Sequence, residues 1–297
     1  MPQQAIELIL TRQWASYLAM PVWVTGEDGS LLYYNEPAEA LLGRRYDEAG
    51  EMPLEELSTI FQIATEDGSP IVLAAFPLAV ALRRRRPAHQ RGQFRGLDGV
   101  WRKAEMTAFP LEGQGGRLLG AVALFWETED DPSGRRIKTR RAPARPAGGG
   151  LINKEGTHVA QKEVEIILTR RWSSHLVMPV WLMDTEGRLL FYNEPAEVLL
   201  GRRFEETGEI ELEQVPSMFK TTAEDGSPLP PEGLPIGIAL KEQRPAHMRL
   251  RYMALNGSWM LAEVTAFPIE GQGGRQLGVV AIFWEIRDPQ AETGARR

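Results

Sequence analysis

The 297-residue sequence contains no cysteine. Disulfides, thiolate metal sites, cysteine nucleophiles and cysteine-linked cofactors are thereby excluded together. Histidine is nearly as scarce: His89, His158, His175 and His247 are too few and too scattered for a histidine-rich metal site. No run of about 18 apolar residues exists, so no membrane-spanning segment is expected. The opening MPQQAIELIL sets an acid inside its only apolar stretch and lacks a signal-peptide pattern, which makes the cytoplasm the expected location. Charge of neither sign dominates, since 34 Lys and Arg against 40 Asp and Glu leave −6, which bears on solubility alone. What is present, 43% hydrophobic and 25% charged residues, suits ordinary globular cores. The length fits about two domains of roughly 100–150 residues each.

The strongest feature is internal repetition. A shift of 158 residues aligns 3–130 with 161–288 without a gap, and 69 of the 128 aligned pairs are identical. MPVW recurs at 20–23 and 178–181, YNEPAE at 34–39 and 192–197, and LLGRR, EDGSP, RPAH, TAFP, EGQGGR and FWE follow in the same order. A period this long is a duplicated domain, not a solenoid repeat. The expected organisation is a first domain over 1–130, a flexible linker over 131–160, a second domain over 161–288 and a disordered tail over 289–297. The linker's centre, GRRIKTRRAPARPAGGG (134–150), carries six basic residues and no acid, together with proline and glycine, so it has nothing to bury.

Each copy reads as an α+β unit. Ile6, Ile9, Leu10, Trp14, Tyr17 and Leu18 recur at three- and four-residue spacing, which predicts an amphipathic helix over 5–18, ended before Pro21. VWVTGEDGSLLYYN predicts a hairpin. Asn35 then stands where its side chain caps a helix EPAEALL, with Pro37 in the first turn and Gly43 as a left-handed stop. A short helix is expected over 54–64, and another over 77–86 before Pro87. Three strands follow: HQRGQFRG, VWRKAEMTAFPL and LLGAVALFWE. An antiparallel sheet with short helices on one face results.

That order, with LLYYNEPAEALLG (31–43) and DGVWRKAEMTAFPLEGQGGRLLGAVALFWE (98–127), resembles a PAS domain with its C-terminal PAC portion. The second copy is similar also through EDGSPLPPEGLPIGIAL (224–240), whereas the first departs from it at 72–75. The resemblance implies two PAS-like domains, a sensory or regulatory role in signal transduction, and a small-molecule site between sheet and helices. Trp23, Tyr34, Phe61 and Trp101, with Trp181, Tyr192, Phe219 and Trp259, are its candidate lining; simple core filling is the competing role for the same aromatics. Asn35 and Asn193 match the family's residue after the second strand. Glu127 and Glu285 stand where the family's closing motif has aspartate, and Pro132 and Pro289 interrupt any continuing output helix.

The resemblance also bounds the chemistry. Covalent flavin in this family needs a cysteine, and none exists. Haem is disfavoured because His89 and His247 follow Pro87 and Pro245, past the helix on which the family's ligand lies. The identity of any other cofactor stays open, and haem or non-covalent flavin in a redox, gas or light sensor is the alternative reading. EGQGGR (112–117 and 270–275) falls between strands and lacks the helix N-terminus a phosphate needs. The arginine run 83–86 is replaced by KEQR in the second copy, so nucleic acid is not expected. With no nucleophile–base pair, metal spacing or catalytic segment, an enzyme is not expected. The signal is expected to leave through a protein partner or self-association, carried by Ile6, Leu10 and Trp14 and by Val164, Leu168 and Trp172.

Overall fold

The computed structural model describes residues 6–18, 20–53, 56, 62–95, 99–128, 166–271 and 274–286. The segment 131–160 and the tail 289–297 lie outside these residues. Two compact units are formed, each built on one antiparallel sheet.

In the first unit, helix α1 (Ile6–Ser16) leads into the hairpin β1 (Val22–Gly26) and β2 (Leu31–Tyr34). Helices α2 (Glu36–Leu42) and α3 (Tyr46–Ala49) follow, then β3 (Gln62–Ala64), α4 (Pro77–Arg84), β4 (Ala88–Arg95), β5 (Trp101–Gly113) and β6 (Arg117–Glu127). The sheet order is β2-β1-β6-β5-β4-β3. The chain therefore starts and ends at the sheet centre, where β1 lies beside β6. The second unit repeats this plan: α5 over 166–173, β7 (Val180–Asp184), β8 (Arg188–Tyr192), α6 (Glu194–Leu200), α7 (Phe204–Thr207), β9 (Ile210–Glu211), α8 (Val215–Met218), β10 (Thr222–Ala223), α9 (Pro235–Glu242), β11 (Ala246–Met253), β12 (Trp259–Gly271) and β13 (Arg275–Glu285). Its order is β10-β11-β12-β13-β7-β8-β9.

The helix expected over 54–64 is corrected at its end, because Gln62–Ala64 is an edge strand. Ile63 pairs with Phe94 across to β4, and sheet hydrogen bonds at a β-branched residue outweigh weak helical periodicity. Residues 54, 55 and 57–61 lie outside the described ones. The second unit also adds β9, two residues paired with β8, which the sequence pattern is too short to reveal.

Alternation along the strands separates two faces. Ala104, Met106 and Ala108 on β5, with Ala121, Ala123 and Phe125 on β6, turn toward α2 and α4 and build the core around Trp23, Tyr34 and Leu42. Small residues in the two central strands leave room for large ones opposite, at about 1.5–3 kcal/mol for each large apolar side chain buried. Gly120 lies at φ 153°, and a Cβ there would sit 1.8 Å from the Thr25 carbonyl oxygen; Gly278 repeats this at φ 154° and 2.1 Å from that of Met183. Only glycine permits the closing strand to approach so tightly.

One buried side chain ties these elements together. Asn35 Oδ1 accepts from the N–H groups of Val22 at 2.9 Å and Ala38 at 3.2 Å. Its Nδ2 donates to the carbonyls of Ala15 at 2.9 Å, Leu18 at 3.2 Å and Met20 at 2.8 Å. A single amide thus caps the start of α2, secures the start of β1 and satisfies carbonyls at and after the end of α1. Asn193 makes the same five bonds, to Val180, Ala196, Ser173, Leu176 and Met178. Arg12 adds a second tie, donating to the Leu32 carbonyl at 2.6 Å, as Arg170 does to that of Leu190.

Replacing Asn35 or Asn193 by Leu strands several buried backbone groups at about 1–3 kcal/mol each, and is expected to destabilise its unit by about 3–5 kcal/mol in chemical denaturation of the full chain. Asn35→Asp keeps the acceptor but turns a carboxylate toward three carbonyls, which raises its folded-state pKa. A raised carboxyl pKa stabilises below the unfolded value and loses that effect as pH rises. The Asp variant is therefore expected to be less stable at neutral pH than in mild acid; equal stability at both would contradict the assigned bonds.

Candidate functional site

The second unit has a cavity of about 60 Å³ between its sheet and helices. Trp181 enters from β7, Leu250 and Tyr252 from β11, Ala262 and Val264 from β12, and Phe283 from β13. Val215 of α8, Phe219, Thr221, and Leu234 to Ile236 at the start of α9 close the other side. A concave, predominantly apolar lining is common among small-molecule sites. No charged side chain lines it. Three of the lining residues carry buried polar atoms without a hydrogen-bond partner, Trp181 Nε1, Thr221 Oγ1 and the Tyr252 hydroxyl, while the surface of the cavity itself is apolar. Burial, with the Glu285 carboxylate in electrostatic reach, pushes the Tyr252 phenol well above the ordinary tyrosine range.

The first unit has a corresponding cavity of about 50 Å³. Trp23, Phe76, Ala104, Met106 and Phe125 occupy the matching positions, but Ile63 stands for Thr221 and Phe94 for Tyr252. Gly92 replaces Leu250, and the Ala64 carbonyl oxygen lies 2.5 Å from where its Cβ would be, so β3 closes in where the second unit places a leucine. The polar residues here, Gln90, Arg91 and Gln93, belong to a β4 that is more exposed than β11.

Of the aromatics expected around a ligand, Trp23 lines the first cavity and Trp181 and Phe219 the second. Tyr34 and Tyr192 are core residues instead; their hydroxyls donate to the carbonyls of Arg44 at 3.2 Å and Arg202 at 3.1 Å. Trp101 and Trp259, 46% and 54% exposed, are corrected out of both linings: they begin β5 and β12 at the outer end of the sheet. Phe61 and Val164 lie outside the described residues. Asn35 and Asn193 occupy the cap position assigned to them and bind far more than a cap requires.

Along the N-terminal helices burial rises steeply. Ile6 is exposed, Leu10 half-buried and Trp14 buried, while Leu168 is half-buried and Trp172 buried. His89 and His247 turn away from the cavities: each Nδ1 meets a threonine hydroxyl, Thr107 at 2.9 Å and Thr265 at 2.8 Å. Beside them Glu105 pairs with Arg91 and Glu263 with Arg249, both at 2.9 Å. Among the described residues no group of three or more His, Asp and Glu is placed to hold a metal, and no helix is long and apolar enough to cross a membrane. Thr221 and Tyr252 were the missed residues. The signal for them was available as two hydroxyls appearing in the second copy at positions that are wholly apolar in the first.

The buried phenols make a pH prediction. Desolvation pushes Tyr34 up to about 12, and raises Tyr192 and Tyr252 above their ordinary value. A raised tyrosine pKa stabilises the fold fully below the unfolded value near 10 and loses that contribution as pH climbs through the folded one. Thermal melting is expected to fall steeply above about pH 10. Phenolate absorbance should appear together with unfolding; its earlier, independent appearance for Tyr34 would refute the burial argument.

A family model described as a PAS domain matches residues 19–127 and again 177–288. No curated protein matches the chain. Among solved structures, the PAS domain of nitrogen regulation protein NR(II) from Vibrio parahaemolyticus is 17% identical, with 40% of this chain and 98% of that one covered and a TM-score of 0.31. The PAS domain of Bordetella pertussis BvgS is 15% identical, covering 44% and 93%, with a TM-score of 0.32. The Rhodobacter sphaeroides LOV protein is 20% identical, covering 46% and 74%, with a TM-score of 0.35. The family model spans most of each sheet-bearing unit, both times in the same register of the repeat, and the chain belongs to the PAS domain family as a tandem pair of these sensory modules.

Proposed function

We propose that this chain is a non-enzymatic regulatory protein of signal transduction that works by association with a second copy of itself through its N-terminal helices. PAS domains are sensory modules that commonly mediate protein interactions, and the finer reading rests on one observation. Each N-terminal helix is anchored by a buried tryptophan and an asparagine clasp, yet carries isoleucine outward: Ile6 and Ile9 on α1, and Ile167 on α5, are exposed. Apolar residues held outward on a fixed helix suit a symmetric, self-complementary contact. Trp14 and Trp172 belong to the anchoring of the helices rather than to the contact. The proposed boundaries remain a domain over 1–130, a connecting segment over 131–160 and a domain over 161–288.

A second reading, a sensor holding a small molecule, is supported by the apolar cavity of the second unit, lined by Trp181, Phe219 and Phe283. Within it, the chain's lack of cysteine removes covalent flavin, and the two strand histidines bond to threonine on the other side of the sheet.

Ile9→Glu with Ile167→Glu changes two exposed and equivalent sites without opening the core. The pair is expected to weaken self-association by at least about tenfold, read as a fall in mass by light scattering across a dilution series. An unchanged mass at every concentration would remove the helices from the contact.

A further inference from the structure

The two copies differ in charge at two exposed edges, and in opposite senses. In the first unit α4 runs out through Arg83 and Arg84 into Arg85 and Arg86, all four exposed. Arg85, at φ 50°, donates from Nη1 to the Gly116 carbonyl at 3.0 Å. That bond brings the turn between β5 and β6, with its exposed Arg117, to the same end of the helix. None of these five guanidinium groups has a salt-bridge partner among the described residues. The helix dipole favours basic residues in a last turn, which covers Arg83 and Arg84 but not the run beyond them. In the second copy the four positions read Lys241, Glu242, Gln243 and Arg244, and Arg244 pairs with Glu242 at 2.8 Å.

The second unit carries the opposite edge. Glu205 and Glu206 lie on α7, and in EIELE (209–213) Ile210 and Leu212 are buried, which turns Glu209, Glu211 and Glu213 outward. None of these five carboxylates has a salt-bridge partner among the described residues either. At matching positions of the first copy Asp47 pairs with Arg45 at 3.1 Å, Glu51 pairs with Arg12 at 3.2 Å, and Pro53 stands for Glu211. The fold requires neither excess, because in each case the other copy builds the same element with its charges partly balanced.

We infer that the arginine edge of the first unit docks on the glutamate edge of the second unit of another copy of this chain. Like charges crowded within a screening length, about 8 Å at physiological ionic strength, repel one another until a surface of opposite sign covers them. Guanidinium forks suit carboxylates, each able to give two parallel bonds. Unlike surfaces meet here, so the contact is separate from the one proposed for the N-terminal helices, where like surfaces meet. Its charged character gives it selectivity and rapid, salt-sensitive encounter.

The test uses the full chain carrying Ile9→Glu and Ile167→Glu, so that the helices do not contribute. Arg83→Lys with Arg84→Glu and Arg85→Gln installs the second copy's KEQR, whose backbone matches, Gln243 lying at φ 54°. Glu205→Lys with Glu209→Lys alters the other edge at two exposed residues. Each variant alone is expected to associate at least about tenfold more weakly than its parent by sedimentation across a dilution series. Added salt should weaken the parent in the same way. Mixing the two variants should restore a two-chain species, because one keeps the glutamates and the other the arginines. A parent that shows no salt-sensitive association would overturn the inference, as would variants that associate undiminished or a mixture that stays monomeric. Single-stranded RNA bound by the parent and lost with KEQR, at unchanged mass, would assign the arginines to nucleic acid instead and equally overturn it.

Discussion

The fold depends on one amide. Asn35 and its copy Asn193 each receive two backbone N–H groups and serve three carbonyls, joining the end of the N-terminal helix, the start of the first strand and the cap of the next helix. No other uncharged side chain has the geometry to accept on one edge and donate on the other at this length, apart from the longer glutamine. Because the groups it satisfies are buried, its removal exposes nothing to water that might compensate. The N-terminal helix therefore reports directly on the first strand of the sheet. The association proposed for these helices would draw on that rigid connection.

The two units divide the roles of structure and recognition. Sheet register, the asparagine clasp, the tight glycine in the closing strand and the helix stop at Gly43 and Gly201 are the same in both. Differences gather on β3–β4 and around their counterparts β10–β11, where Ile63, Gly92 and Phe94 of the first copy are replaced by Thr221, Leu250 and Tyr252 in the second. The first unit's edge is drawn in over a glycine, whereas the second fills that space with leucine and adds two hydroxyls. Conserving the frame while varying one cavity wall is how a duplicated module comes to hold two different interiors.

Much of the architecture was legible in the residues, because the repeat doubles every signal. Alternation of Trp101, Lys103, Glu105 and Thr107 with Ala104, Met106 and Ala108 marked a half-buried strand, and Asn35, Pro37 and Gly43 marked both ends of a helix. The remainder was hidden for physical reasons. Edge pairs as short as Ile210–Glu211 carry no periodicity, and Gln62–Ala64 becomes a strand only because β4 lies beside it. The candidate site was legible only in part. Aromatic identity pointed to Trp23, Trp181 and Phe219, which line cavities, but also to Trp101 and Trp259, since a large ring at a strand's start looks the same in sequence whether it turns inward or sits in solvent. Asn35 was readable as a cap, while its other four bonds reach Ala15, Leu18, Met20 and Val22, between thirteen and twenty residues earlier.

The close approach at Gly120 and Gly278 has a bearing on how the chain reaches its native state. Both closing strands carry the same register determinants: Trp23 faces Ala123 across β1 and β6, and Trp181 faces Ala281 across β7 and β13. β13 therefore carries much of the pattern by which β6 meets β1. β6 emerges from the ribosome long before β13, so the first sheet can close while its rival does not yet exist. Refolding of the whole chain from denaturant removes that temporal ordering and opens a strand-exchanged trap that vectorial synthesis avoids.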